Sequence, residues 1–380
     1  MTWFDDLHAQ VTSQGQRPHV LHNGAGRLLV CEHGARVLAC ELPGVDHNLF
    51  FHTDRTADDG GPGMVTGGDR LWIAPEVAYF WPTLDDALND PKGTAETPAA
   101  IDPGDYVSML FQEPEEQMVT LFNQEVVLSD VRNTLRARFN VLRTVSLTAA
   151  PCGIDEDLSI ISFSIINAIS ALFPQGEDPE RDIVLPTAAP AGAWDILQVP
   201  PTGTLVCPTV SRPEVRSYYE PFGDRHLAVY DGCVRLLIDG RRRVKMGLRA
   251  EHTTGRMGYH RPLDEQTSTM IVRIFAPLPG EPYADIPRDD PRNRQLERGE
   301  TNGPILGGDC LQAYNDDGDA FGGGPNVTFG EMEYHDPCVI DGERPTSRSG
   351  TCVTHVIAGP DDAVRAAGRT LLGVEVGAIE

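Results

Sequence analysis

Three short segments of this 380-residue chain carry side chains able to bind or move protons on a small polar ligand. The first is Gly67-Gly68-Asp69-Arg70-Leu71-Trp72-Ile73-Ala74-Pro75-Glu76. Its two glycines admit close backbone approach. Arg70 and Trp72, two positions apart, share one face of a strand and offer a planar fork of N–H donors beside an aromatic platform. That pairing suits a sugar, whose hydroxyls need hydrogen bonds and whose C–H face needs apolar contact. The competing reading pairs Arg70 with Glu76 over a core tryptophan, a purely structural arrangement.

The second segment, Phe329-Gly330-Glu331-Met332-Glu333-Tyr334-His335-Asp336-Pro337, alternates so that Glu331, Glu333 and His335 fall on one strand face, about 7 Å apart, with Met332 and Tyr334 on the other. Three titratable groups on one face shift one another's pKa, as general acid and base groups require. A solvated outer face is the alternative. The third segment, Arg249 to Pro262, reads as a dense polar loop between apolar strands Val244–Leu248 and Ser268–Phe275. It offers His260 as a general acid, ahead of His252 because Tyr259 adjoins it, with Arg261 as a hydroxyl or anion clamp. A solvent-exposed loop histidine is the alternative.

These segments, together with Glu32–Asn48, Ile165–Ser170, Ala193-Trp194-Asp195-Ile196-Leu197-Gln198-Val199, Lys245–Tyr259 and Phe329–Pro337, resemble the galactose mutarotase-like superfamily in their order along the chain from Leu28 to Ala358. The resemblance implies an all-β supersandwich with short peripheral helices and a concave sugar site. It also implies a Glu base on a late strand, matched by Glu333 and secondarily by Glu331, and it places Arg70, Trp72, His260 and Glu333 on one concave sheet. Two departures stand out. Aldose 1-epimerases of the superfamily place an acid His about two residues before an Asn on a middle strand, whereas Ser164-Ile165-Ile166-Asn167 has none. Their His-rich segment after the first site strand is replaced by an insertion following Trp81-Pro82-Thr83. The implied function is therefore epimerase- or lyase-type proton transfer on a sugar or sugar derivative, with His260 or His335 as acid and Arg70, Trp72, Glu76, Arg249, His252, Tyr259 and Arg261 as binding residues. A non-catalytic carbohydrate-binding protein is the alternative, and a structural protein using only the fold's surface is a third.

The elements that must position these groups are strand-like. With 38 Gly and 30 Pro punctuating short apolar runs, the chain reads as one β-sandwich domain over residues 1–380. Runs at Gln117–Leu128, Phe139–Thr148, Leu158–Ile169, Thr204–Val206, His226–Ile238, Val244–Leu248, Ser268–Phe275, Val327–Tyr334 and Cys352–Ala358 are predicted strands, and His33-Gly34 is predicted to hinge a hairpin. Helices are expected at about residues 2–14, capped by Thr2, and 361–373. Asp54–Gly63, Leu84–Asp105, Phe173–Ala193 and Glu281–Gly308 read as long loops or insertions.

Composition removes other classes. A formal charge of -25 would repel phosphate backbones and anionic lipid, which argues against nucleic-acid and membrane partners and leaves a small-molecule carbohydrate as the expected one. No apolar run approaches a membrane helix and the start lacks a signal-peptide pattern, so a cytoplasmic location is expected unless a signal peptide has been removed. The eight cysteines have no CxxC spacing and read as free thiols. His252, His260, Glu331, Glu333 and His335 lack compact ligand spacing, so neither metal nor cofactor is expected; Asn315-Asp316-Asp317-Gly318-Asp319 reads as a polar turn, and Gly322-Gly323-Gly324-Pro325 as a flexible one.

Overall fold

Period-2 alternation runs through most of the chain, and the structure, a computed structural model, turns it into strands. It describes residues 2–53, 66–89, 95–113, 116–129, 131, 136–172, 191–219, 221–223, 225–297, 307–318, 327–338 and 347–379. In chain order the strands among these are β1 (Pro18–His22), β2 (Arg27–Cys31), β3 (Arg36–Glu41), β4 (Asp69–Ala74), β5 (Val107–Glu113), β6 (Glu116–Ser129), β7 (Arg136–Leu147), β8 (Ser159–Ala171), β9 (Gly192–Val199), β10 (Gly203–Pro208), β11 (Arg216–Ser217), β12 (Leu227–Tyr230), β13 (Cys233–Ile238), β14 (Val244–Leu248), β15 (Arg256–Pro262), β16 (Thr267–Phe275), β17 (Leu311–Asn315), β18 (Gly330–His335) and β19 (Ser347–Pro360). The helices are α1 (Trp3–Ser13), α2 (Glu76–Tyr79), α3 (Leu84–Asn89), α4 (Pro291–Glu297) and α5 (Asp361–Leu372).

One sheet runs β1-β2-β3-β4-β9-β18-β17-β14-β11 and the other β12-β13-β10-β15-β16-β19-β8-β7-β6-β5. The core lies between them, where Leu71, Ile73, Leu197, Val199 and Met332 of the first sheet meet Val141, Val145, Phe163 and Ile165 of the second. Each such side chain, fully buried, contributes about 1.5–3 kcal/mol. Within this apolar layer sits a charged cluster. Arg143 and Arg273 of the second sheet both pair with Asp69 and Asp195 of the first, and Asn167 donates to Asp195 at 2.7 Å and to the Tyr334 hydroxyl at 3.1 Å. Burial, with the Asp195 charge adding, pushes Asp69 up to about 7. Burial also opposes ionisation of Asp195, yet Arg143 and Arg273 hold it down at about 2.

The predicted hairpin joins β2 to β3 through a turn at His33–Ala35 in which Gly34 has φ 68°. A Cβ at Gly34 would also meet the Asp102 carboxyl at 2.6 Å, so glycine is required twice over. Helix α1 is capped as expected, Thr2 and Asp5 forming a reciprocal capping box. It lays Phe4, Leu7 and Val11 over Leu29, Cys31 and Leu38. Helix α5 lays Val364, Ala367 and Leu372 over Met270, Val272 and Ile357 on the far face of the second sheet and stops at Gly373, φ 75°.

Three expectations change. The insertions Leu84–Asp105 and Glu281–Gly308 contain α3 and α4 rather than loop alone. Thr83 Oγ1 accepts from the Asp86 amide at 3.1 Å and Asp290 Oδ1 from the Arg292 amide at 3.0 Å, and these side-chain caps satisfy amides at the start of each helix. The run His226–Ile238 splits into β12 and β13 at Gly232, φ 78°. The segment Arg249–Pro262, read as a loop, ends in strand β15, because Met257 and Tyr259 alternate into the core. The expected loop Asp54–Gly63, the turn Gly322–Pro325 and residues 173–190 of the expected loop Phe173–Ala193 lie outside the described residues. The expected turn after Asn315 is seen as far as Gly318, whose amide donates to Asp316 Oδ1 at 2.6 Å.

Candidate functional site

Antiparallel registry decides which side chains share the outer side of the first sheet, the side turned away from the second sheet. Trp194 of β9 lies opposite both Trp72 of β4 and His335 of β18. Ile196 lies opposite Arg70 and Glu333, and Gln198 opposite Glu331. On the other flank Glu331 faces Tyr314 and Glu333 faces Gln312, and Tyr314 in turn faces Lys245 of β14. Five neighbouring strands thus send a polar and aromatic set to the face opposite the core, as the period-2 rule requires.

These groups are tied in pairs. Arg70 Nη2 donates to Glu331 Oε1 at 2.9 Å, Gln198 Nε2 donates to the same oxygen at 2.9 Å, and the Arg70 guanidinium stacks 3.9 Å over the Trp72 ring. Lys245 Nζ lies 3.1 Å from Glu333 Oε2 and 3.4 Å from Glu76 Oε2, and 4.4 Å over the Trp194 ring. Trp194 Nε1 donates to Glu333 Oε2 at 2.7 Å, and the Tyr219 hydroxyl to Glu76 Oε1 at 3.0 Å. Trp72 is fixed from behind: its Nε1 donates to Asp102 Oδ2 at 3.0 Å, and Asp102 is itself paired with Arg36.

Arg70, Trp72, Glu76, Trp194, Tyr219, Lys245, Tyr314, Phe329 and Glu331 line a small pocket whose cavity volume is about 20 Å³. Glu333 and His335 lie on the same face but behind this lining, Glu333 fully buried. Burial pushes Glu333 up to about 8; Lys245 opposes the shift and Glu331 adds to it. Burial alone would lower Lys245, but Glu333 and Glu76 hold it well above its ordinary value, so it stays an ammonium. Burial likewise opposes the charge on Glu76, and Lys245 above all keeps that carboxyl below its usual range. Arg70 is lowered by burial to about 10, against the pull of Glu331. His335 is lowered well below 6.5 by burial and then by Lys245, so it is a neutral imidazole, stacked 5.3 Å from the Trp194 ring.

Of the residues singled out from sequence, Arg70, Trp72, Glu76, Glu331, Glu333 and His335 come together here. Arg70 pairs with Glu331, not with Glu76. The other five do not join them. His260 belongs to β15 in the second sheet, where Nε2 lies 2.9 Å from Asp361 Oδ1 at the start of α5. Tyr259 points into the core and donates to the Pro200 carbonyl. Arg261 reaches His47 Nε2 at 3.1 Å. Arg249 and His252 occupy the turn before β15, Arg249 lying 4.0 Å from Glu251. The placement of His260 with Arg70 and Glu333 is therefore corrected: strand parity sends it toward α5, on the far side of the second sheet.

Sequence reasoning passed over Lys245, Tyr219, Tyr314 and Asp102. Lys245 did leave a trace, as the single charge inside the apolar run Val244–Leu248, fully buried once folded. Asn167, the position compared with the epimerase middle strand, faces the cluster between the sheets rather than the pocket. Among the described residues no three metal-binding side chains converge.

No family model and no curated protein sequence matches the chain. Its fold is similar to that of solved structures of low sequence identity. The Slr1438 protein of Synechocystis sp. PCC 6803 superposes with a TM-score of 0.50 at 13% identity, over 90% of this chain and 95% of its own. A galactose mutarotase-like protein from Lactobacillus casei gives 0.46 at 10% identity, over 90% and 100%. At these identities the likeness is one of fold.

Proposed function

We propose that the pocket on the first sheet binds a single sugar ring and exchanges protons with it, as an epimerase or lyase would. The observation that carries this is the Trp72, Arg70, Glu331 stack. A guanidinium held 3.9 Å over an indole and a carboxylate 2.9 Å from that guanidinium are fixed together in one pocket lined by further aromatic rings.

Glu331 is the group best placed to act as base. Its bonds to Arg70 and Gln198 both fall on Oε1, which leaves Oε2 to take a proton from an anomeric hydroxyl or ring carbon. Lys245, which also lines the pocket, returns a proton to the ring oxygen or leaving oxygen. Glu333 behind it lies 3.1 Å from that ammonium and keeps it aimed at the pocket. The order of the two acids is thus the reverse of the sequence expectation, which put Glu333 first.

A non-catalytic sugar-binding reading draws on one observation: both cations of the pocket floor are already neutralised by carboxylates. Ligand-observed NMR over a panel of mono- and keto-sugars, followed by anomer exchange or elimination on whichever sugars bind, tests both. Binding with exchange supports the enzyme, binding without exchange supports the binding protein, and the absence of any bound sugar would sink the carbohydrate reading.

A further inference from the structure

We infer that the outer face of the second sheet, over strands β5 to β8, is where two copies of this chain meet as a dimer. Among the described residues nine large apolar side chains are exposed, and six of them, Val107, Met109, Leu110, Phe111, Val127 and Leu142, lie on β5, β6 and β7. All but Leu110 share one parity, the one turned away from the first sheet. Single exposed apolar side chains need no explanation, but a contiguous set marks an interaction surface.

Registry carries the patch inward from the sheet edge. Val107 lies opposite Phe122, Phe122 opposite Leu142 and Leu142 opposite Ala168, and the next two rows, starting at Met109 and Phe111, cross the same strands to Thr351 and Val353 of β19. These three rows over five strands hold no charged side chain, although 23% of the chain is charged. Charges resume at the borders, with Glu113 and Glu116 beyond the Phe111 row and the Glu125 and Arg138 pair, 3.3 Å apart, beyond the Val107 row. An apolar centre inside a polar rim is the anatomy of an interface. On the other half of this outer face α5 already lies over Met270, Val272 and Ile357, whereas over β5 to β7 the apolar side chains stay exposed.

The occupant follows from charge and symmetry. A basic partner would be drawn to the acidic remainder of a chain of net charge -25, and anionic lipid would be repelled by it. A second copy is repelled by that remainder too, and the uncharged rows are where the repulsion is least. A two-fold axis lying in the interface sets these rows against the same rows of the partner, so the surface is complementary to itself and the two sheets stack face to face. Adding a strand at the β5 edge is the poorer route, because Glu32 Oε1 already accepts from the Ser108 amide at 3.0 Å and Glu113 ends the strand. With strands about 4.8 Å apart and like-facing residues about 6.8 Å apart, the rows cover roughly 500 Å² once the reach of their side chains is included. A standard interface buries about 800 Å² per partner, so the dimer is a weak one, formed at micromolar concentration.

Sedimentation velocity over about 1 to about 200 μM chain, at about 50 and about 500 mM sodium chloride, reads the dimer directly. The expected result is a concentration-dependent dimer whose dissociation constant falls as salt rises, because salt screens the repulsion of two like-charged copies. Thr144, in the centre of the middle row, is the position that a two-fold axis through the patch brings nearest its own copy. Thr144→Glu and Thr144→Lys should each weaken the dimer about tenfold or more, and an equimolar mixture of the two should restore it, which also shows that both variants fold. Val210→Glu, at an exposed valine outside these strands, should leave the dimer as it is. A chain that stays monomeric throughout, a dimer that salt weakens, a dimer that survives Thr144→Glu or a mixture that fails to associate would overturn the inference and leave the face to another partner.

Discussion

Arg70 reaches Glu331 across the whole width of β9, the strand that separates their own, although 261 positions lie between them in sequence. The pair therefore lets the proposed chemistry and the packing be tested together. Glu331→Gln keeps the shape and one acceptor but removes the basic oxygen and the counter-charge of the buried Arg70. Anomer exchange or elimination should fall by at least two orders of magnitude, the usual contribution of a general base, about 10²–10⁴-fold. Glu333→Gln should retain sugar affinity and lose less activity. Parallel rate assays on the two variants check the order, and a Glu331→Gln protein as active as wild type would contradict it.

Lys245 serves two carboxylates, Glu333 and Glu76, and all three are buried. Lys245→Met preserves bulk but leaves both acids without their ammonium. Urea unfolding should show a loss of about 3–5 kcal/mol, the cost of orphaning a buried charge. The double variant Lys245→Met, Glu333→Gln should recover part of that loss, since one of the stranded acids is gone. A single variant within 1 kcal/mol of wild type, on the order of a surface change, would show that the triad is not the anchor described here.

Asp336 gives a pH signature. Burial, with the charge of Asp195 adding, pushes it up to about 8, and among the described residues its Oδ2 has no hydrogen-bond partner. Because the folded-state pKa lies above the unfolded one, the protonated carboxyl favours the fold. The contribution is whole below pH about 4 and is lost as pH rises through about 8. Asp336→Asn, which cannot ionise, should match the wild type near pH 4 and exceed it at pH 9 by a few kcal/mol, on the order expected for a shift of this size. Comparing chemical unfolding of the two proteins across that range isolates the effect, since Glu333 and Asp69 drift in the same direction in both.

His260 offers a negative control. It ties β15 to α5 through Asp361 on the second sheet, so His260→Ala should leave sugar binding and turnover unchanged and lower stability by roughly 1 kcal/mol. A collapse of turnover in a folded His260→Ala protein would restore the catalytic role that its sequence neighbourhood suggested.

What could be read in advance was local. Alternation in Phe329–Pro337 places Glu331, Glu333 and His335 on one face whatever the tertiary fold, and the same parity holds for Arg70 and Trp72. The partners were not local. That Arg70 answers Glu331 rather than nearby Glu76 depends on the sheet order β4-β9-β18, which no spacing within one segment records. Asp102, which fixes Trp72, lies in an insertion read as loop, and its role exists only because Arg36 meets it there. His260 misled for the opposite reason: a cluster of polar residue types imitates a site when the strand that carries them turns alternate side chains toward the core and toward α5.

The charged cluster between the sheets has a bearing on how β4 finds its place. Asp69 points inward to Arg143 and Arg273, and its neighbour Arg70 points outward to Glu331. The apolar residues of this strand, Leu71 and Ile73 on one side and Trp72 on the other, discriminate weakly between its two possible facings. The charges do not. Sliding β4 by a single residue would press Arg70 against two guanidiniums on one side and Asp69 against a carboxylate on the other, so every mismatched facing is repulsive twice. Replacing the inner cluster with well-packed apolar side chains could leave the protein as stable as before. What it would erase is the code that tells the strand which way to face.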